Sequence, residues 1–272
     1  MREVIEGYLE GTSYGIRMDE DGLILLSDHQ MPLTWMDARE FNEKEDEPGR
    51  AVTPRYGKPV EVNALWYCAL KIMAQVTEHL GMKRASTYSR LARLVQQNFV
   101  RTFVSTRGYL YDRVTESLQD SAIRPNMLIA ASLPFSPLSK ALATQVLAVV
   151  GKHLLTPYGL RTLSPDHPQY RGRCIGDLKA RASAYHQGTV WPWLIAPYVS
   201  TVLKVRGLTR STRAGLRSQL GYFLPHLEEG ALGSVCELFD GDAPHAPRGG
   251  VSQAWSVGEI LRAIHEAKLG DL

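Results

Sequence analysis

Val60-Glu61-Val62-Asn63-Ala64-Leu65-Trp66-Tyr67-Cys68-Ala69-Leu70-Lys71-Ile72-Met73-Ala74-Gln75-Val76 is where the chain turns helical, and from there it stays so. Leu65, Ala69, Ile72 and Val76 recur at three- and four-residue steps until Gly81 supplies a stop. Downstream, Leu91, Val95, Phe99 and Phe103 form a second stripe ending before Gly108. Ser136 reads as an N-cap with Pro137 at the first helical position, ahead of Leu138, Leu142, Val146 and Val149 and a stop at Gly151. A fourth helix is expected over about 192–205, bent at Pro197, and Thr209 caps a fifth carrying Leu216, Leu220 and Phe223. The last has Val257, Leu261, Ile264 and Ala267, and the span 126–132 has room for one short helix more. The fold class is therefore all-α.

Upstream of this stretch the pattern differs. Val4, Ile5 and Leu9 mark the final turns of a helix. Tyr14, Ile16 and Met18 then alternate, as do Leu23 and Leu25, with Asp21-Gly22 between them, the signature of a short β-hairpin near residues 13–26. The span 27–59 reads as loop, and its charge run Glu43-Lys44-Glu45-Asp46-Glu47 as a solvated face. Two further connections, 154–188 and 228–250, are long and rich in Pro, Gly, aromatic and polar residues. Structureless loops of that length in a compact domain are usually functional. Helix-loop-helix units repeat without sequence repeat, which points to a toroid of helix pairs with its site on the loop face.

Composition narrows the function classes. Thirty-one Lys and Arg against 28 Asp and Glu leave a net charge of +3, spread along the chain, so a nucleic-acid groove has no support. No apolar run reaches the ~20 residues a membrane span takes, and Met1-Arg2-Glu3-Val4-Ile5-Glu6 lacks the order of a signal peptide. Cys68, Cys174 and Cys236, odd in number and widely spaced, argue against a disulfide framework and a zinc site and fit a reducing, cytoplasmic setting. Cys236 is a small buried hydrophobe sooner than a nucleophile.

The residues able to carry chemistry lie between the helices. Leu33-Thr34-Trp35-Met36-Asp37-Ala38-Arg39 sets a carboxylate two residues after an indole. Sugar rings stack on tryptophan, and an apolar neighbour keeps a nearby carboxyl protonated. Thr53-Pro54-Arg55-Tyr56-Gly57-Lys58-Pro59 has polar side chains on a proline-fixed backbone. Arg124-Pro125-Asn126, Tyr185-His186-Gln187-Gly188-Thr189-Val190-Trp191-Pro192-Trp193 and Cys236-Glu237-Leu238-Phe239-Asp240-Gly241-Asp242, closed by Gln253-Ala254-Trp255, complete the set. Each has a plainer reading: Asp37 as a helix cap, Glu237 as an exposed loop acid, His186 as a bonded core histidine, Trp191 and Trp193 as packing. No G-x-S-x-G, G-x-G-x-x-G or Walker motif occurs.

Taken together, these segments resemble the C-terminal glucosidase domain of glycogen debranching enzymes, the amylo-α-1,6-glucosidases of bacterial and archaeal type. The likeness runs through Tyr14–Leu23, Leu33–Ala38, Thr53–Glu61, Arg124–Asn126, Leu155–Leu163, Ala184–Trp193, Glu237–Gly241 and Gln253–Ser256 in family order. It implies a single domain built as an (α/α)₆ toroid and inverting removal of an α-1,6-linked glucose from a debranched α-glucan, with no metal or organic cofactor. By the same resemblance Asp37 is the general acid and Glu237 the base, which an inverting enzyme holds ~6.5–9.5 Å apart to admit a water. Trp35, Arg55, Lys58, Glu61, Arg124, Asn126, His186, Gln187, Trp191 and Trp193 would bind the glucan. The family domain starts earlier, with Gly-Tyr-Pro-Trp-Phe and Trp-Gly-Arg-Asp signatures that have no counterpart here, and a closed toroid has twelve helices where seven are read beyond residues 1–10. The expectation is an incomplete wall, completed by an N-terminal domain, a second chain or self-association. The alternative is a non-catalytic α-glucan-binding or assembly module; a phosphorylase or trehalase on a similar toroid is a third class.

Overall fold

Gly11 and Gly207 close two of the helices of this chain and Pro59 precedes a third, while apolar spacing sets which way they face. The computed structural model describes residues 1–40, 49–82 and 84–270; the charge run at 43–47 lies outside them. Helix α1 (Arg2–Glu10) buries only Ile5 of its expected face. It leads into the expected hairpin, β1 (Ile16–Met18) against β2 (Ile24–Leu26), with Ile16 opposite Leu26 and Met18 opposite Ile24. After the arm that carries Asp37, β3 (Lys58–Pro59) feeds directly into α2 (Val60–His79), whose antiparallel neighbour is α3 (Ala85–Phe103). Strands β4 (Arg113–Val114) and β5 (Gln119–Asp120) pair beside β3 in a three-stranded sheet. Next come α4 (Asn126–Ser132), α5 (Lys140–His153), β6 (Leu155–Thr156), β7 (Gly159–Arg161), α6 (Leu178–Ala184) and β8 (Val190–Trp191). A 3₁₀ turn at Pro192–Leu194 opens α7 (Ile195–Arg206), followed by α8 (Arg210–Gly221), α9 (Phe223–His226), β9 (Leu238–Phe239), β10 (Pro247–Arg248) and α10 (Ala254–Glu266).

Helix α7 is the hub of the C-terminal half, packing on α4, α5 and α10 through buried Ile195, Ala196, Val199 and Val202. In the N-terminal half, α3 presents Val95, Phe99 and Phe103 inward. Each such side chain, fully buried, contributes roughly 1.5–3 kcal/mol. Pro197 falls in the first turn of α7, where a missing N–H costs nothing, and the turn before it is 3₁₀.

Several expectations are corrected. Leu65 and Val76 are 49% and 45% exposed, and Leu261 is 60% exposed. Helix α2 buries Ala64, Trp66, Tyr67, Cys68 and Leu70 instead, because the aromatic pair offers more apolar area than the aliphatic stripe beside it. The cap of α5 is Ser139, whose hydroxyl accepts from the Leu142 N–H, while Ser136 serves the turn before, and the helix runs past Gly151 to His153. Thr209 does cap α8, accepting from the Thr212 N–H. The connections 154–188 and 228–250 are not structureless. They hold α6, capped by Asp177, and strands β6, β7, β9 and β10, which with β8 form a five-stranded antiparallel sheet ordered β10-β9-β8-β7-β6. Its pairs include Leu160 opposite Trp191 and Val190 opposite Phe239. Among the described residues no helix is long and apolar enough to cross a membrane.

Candidate active site

The arm carrying Asp37 is fixed from both sides. Its backbone is tied by Val52 N–H to the Ala38 carbonyl at 2.9 Å and Glu40 N–H to the Arg50 carbonyl at 2.8 Å. Met36 is fully buried, and Trp35 turns inward so that its indole N–H donates to Asn126 Oδ1 at 2.8 Å. The Trp35 ring meets Trp193, His186 and Trp191 edge-on, with centroids 5.0, 5.4 and 5.9 Å away. With its two predecessors buried or half-buried, Asp37 points to the surface, and no helix starts there for it to cap. Its carboxyl is nonetheless raised above the usual aspartate range. Partial desolvation is the main cause and the negative charge of Glu237 adds to it, while its own backbone N–H and Arg39 pull the other way.

Glu237 reaches the same place from the rim of the five-stranded sheet. Its backbone N–H donates to the Gly250 carbonyl at 2.8 Å, and the Gly250 N–H returns a bond to Glu237 Oε2 at 2.9 Å. The other carboxylate oxygen, Oε1, accepts from the Tyr185 hydroxyl in a short contact. Gly249 lies against this carboxylate at φ +68°, and a Cβ there would sit 2.1 Å from Oε2. Burial, then the hydrogen bond to Glu237 and the charges of Glu237 and Asp37, push the Tyr185 phenol far above the ordinary tyrosine range.

Behind the two acids is an aromatic wall. Trp193 is buried and stacks on Trp255 at 4.1 Å and 15°, leaving Trp255 41% exposed. His186 is wholly buried, stacks on Trp191 at 5.3 Å, and has no hydrogen-bond partner for either ring nitrogen among the described residues. Burial, then the charge of Arg124, lowers its pKa to about 3, so the ring is neutral.

Below that wall lies a buried charge network. Arg55 pairs with both Asp112 and Glu61 in short contacts. Arg124 donates to the Thr162 and His186 carbonyls at 3.0 and 2.8 Å and to Gln187 Oε1 at 2.6 Å. Asn126 donates to Asp112 Oδ1 at 2.8 Å. Burial and the neighbouring Arg55 bring the Arg124 guanidinium down to about 9, still a cation at neutral pH.

Of the residues singled out in the sequence, Trp35, Asp37, His186, Trp191, Trp193 and Glu237 converge here. Arg55, Glu61, Arg124, Asn126 and Gln187 lie beneath, bonded to one another and to Asp112, Thr162 and the His186 carbonyl, while Arg55 Nε and Glu61 Oε1 have no partner among the described residues and Gln187 also lines the cleft beside the Asp37 arm. Lys58 is elsewhere: its ammonium bridges Asp19 and Asp21 at 2.8 and 2.7 Å and braces the hairpin. Cys236 is buried, its thiol pushed up to about 12 mainly by desolvation, which leaves it no nucleophile. Tyr185, Asp112, Gly249 and Trp255 carry no assignment from the sequence. Tyr185 and Trp255 belong to segments already marked; Asp112 and Gly249 have no motif to announce them. Among the described residues no group of three or more His, Cys, Asp or Glu is placed to hold a metal ion. A polar cleft of about 560 Å³ opens beside the Asp37 arm, lined by Glu40, Val52, Tyr170, Arg171, Lys179 and Gln187.

The sequence model of one family, described as amylo-alpha-1,6-glucosidase, matches residues 1–262. The chain belongs to the amylo-alpha-1,6-glucosidase family. It is thereby a member of a glycoside hydrolase family. A relative in Saccharomyces cerevisiae, glycogen debranching enzyme, is 26% identical over a match covering 59% of this chain and 13% of the yeast protein. This amylo-alpha-1,6-glucosidase family member thus spans a small part of the length of that relative. Neutral trehalase Nth1 from the same yeast superposes with a TM-score of 0.59 at 14% identity, over 78% of this chain and 39% of the trehalase. An uncharacterized conserved protein from Thermus thermophilus gives 0.56 at 14% identity, over 77% and 46%. A further structure, that of a wild-type glycosidase, gives 0.54 at 16%, over 78% and 52%. At such identities the likeness shows a shared fold alone.

Proposed function

We propose that this chain is an inverting glycosidase that removes α-1,6-linked glucose from a debranched α-glucan, with Asp37 as general acid and Glu237 as general base. The observation that carries this reading is the asymmetry of the two carboxyls. Asp37 is raised, partly by Glu237 itself, whereas both Glu237 oxygens accept hydrogen bonds. A carboxyl whose protonated form is favoured is suited to give a proton, and one whose two oxygens are both held as acceptors is aimed to take one. In the reaction, Asp37 gives its proton to the glycosidic oxygen as the bond from that oxygen to the anomeric carbon breaks. Water attacks the opposite face of that carbon, and its proton passes to Glu237. An α-linked glucose leaves as β-glucose, and each acid–base role is typically worth ~10²–10⁴-fold in rate.

The exposed indole of Trp255, backed by Trp193, supports stacking of a pyranose ring, and the adjacent polar cleft has the volume of an ordinary ligand site. The paired helices α2–α3 and the α7 hub fit one domain on a helical toroid. The experiment is NMR detection of the sugar released from a glucan limit dextrin by wild type, Asp37→Asn and Glu237→Gln. We expect β-glucose first from wild type and none from either variant, with glucan binding retained in all three. Normal hydrolysis by both variants would overturn the assignment. Wild-type binding without release would favour a non-catalytic glucan-binding module.

A further inference from the structure

We propose that Tyr185 is a positioning residue for the base: its hydroxyl, with the Gly250 N–H, fixes the Glu237 carboxylate in the orientation that activates water. This rests on the assignment of Glu237 as general base. A glutamate on an exposed rim has free rotation about its side-chain bonds, and an incorrectly aimed carboxylate cannot receive the proton of the attacking water. Here one oxygen is held by a phenol and the other by a backbone amide.

The phenol is in turn held rigidly. The Tyr185 carbonyl accepts from the Thr189 hydroxyl at 2.6 Å and from the Trp191 indole at 3.1 Å. Its ring lies edge-on to His186 and Trp191, at 4.8 and 5.1 Å. Trp191 also touches Trp35, two residues before Asp37. One aromatic cluster therefore sets where the Tyr185 hydroxyl stands and where the acid-bearing arm stands. Tyr185 links base to acid through packing as well as through its hydrogen bond.

The titratable groups facing Glu237 and Tyr185 are Asp37 from the arm, His186 against the Tyr185 ring and neutral, Cys174 from the connection before α6, and Cys236 beside Glu237. Both thiols are raised by burial and uncharged at neutral pH, so Asp37 is the charge that competes with Tyr185 for influence on the base.

The test is Tyr185→Phe in the full chain, which keeps the ring and removes the donor. We expect kcat on limit dextrin to fall roughly ten- to hundredfold, the worth of a hydrogen bond to a charged group. KM should stay within about twofold and the melting temperature should hold, since the packing is retained. The acid limb of the pH–rate profile should move to higher pH, because loss of a donor to a carboxylate favours its protonated form. A ¹³C carboxyl titration of Glu237 in both proteins should move the same way and does not depend on turnover. Unchanged kcat with an unmoved acid limb, or a fall in melting temperature with that limb unmoved, would overturn the positioning role. If wild type releases no glucose, the base assignment falls, while the carboxyl titration still decides whether Tyr185 holds Glu237.

Discussion

The indole N–H of Trp35 and the side-chain carbonyl of Asn126 meet at 2.8 Å across ninety-one residues of chain. Asn126 simultaneously donates to Asp112, a partner of Arg55. The arm that presents Asp37 is thus hung from a buried ionic cluster, and the surface chemistry inherits its position from the interior.

Asn126→Ala cuts that suspension. It strands the Trp35 N–H and one oxygen of Asp112, each worth about 1–3 kcal/mol when left unsatisfied in a buried setting. Urea unfolding should show a loss of about 2–6 kcal/mol. Glucose release should fall further than stability alone explains, and full activity at full folding would refute the linkage.

Arg55→Met is expected to be more damaging. Glu61 and Asp112, both buried, would lose their shared cation, and breaking a buried pair from one side costs roughly 3–5 kcal/mol. A soluble variant with an unchanged urea midpoint would show that Arg55 is dispensable to the frame.

His186 gives the fold a pH dependence. Its folded pKa of about 3 lies below the ~6.5 of an unfolded histidine. The stability from keeping it neutral is therefore fully present above about pH 6.5. It is lost as pH falls towards 3, at up to ~1.4 kcal/mol per pH unit. His186→Phe should flatten the decline of the urea midpoint between about pH 6 and 4. An identical slope in the two proteins would mean that other groups carry the acid sensitivity.

Gly249→Ala tests the crowding around Glu237. The backbone there is left-handed, and the added methyl would meet Glu237 Oε2 at 2.1 Å and its Cβ at 3.0 Å. Strain of this kind costs about 1 kcal/mol, and the carboxylate must swing aside. Turnover should drop at least tenfold, with the melting temperature lowered by only a few degrees. Retained turnover would mean that Glu237 tolerates displacement.

Sequence reading reaches the elements that carry their own local signal. Thr209 caps its helix because a hydroxyl, a free amide and an amphipathic run stand side by side in the chain, and α4 follows at once from Arg124-Pro125-Asn126. The phase of α2 eludes it because Leu65 and Val76 share a helical period with residues that do not share their surroundings. The strands of the central sheet are two or three residues long, too short to express alternation, so nothing local marks them. Arg55 and Glu61 read as ligand groups through the family likeness, and nothing local marks them as buried. Only the fold brings Asp112 between them and Arg124. The nearness of Asp37 to Glu237 is legible only through family likeness, since no periodicity relates positions two hundred residues apart.

The order of strands in the five-stranded sheet has a kinetic consequence. Glu237 directly precedes β9, which is paired to β8 across some fifty residues, and β8 to β7 across some thirty. Contacts between such distant segments form slowly, after helices have already gathered. On dilution from denaturant, far-ultraviolet ellipticity should therefore recover ahead of glucose release, the Glu237 carboxylate coming into register only once β9 has found β8.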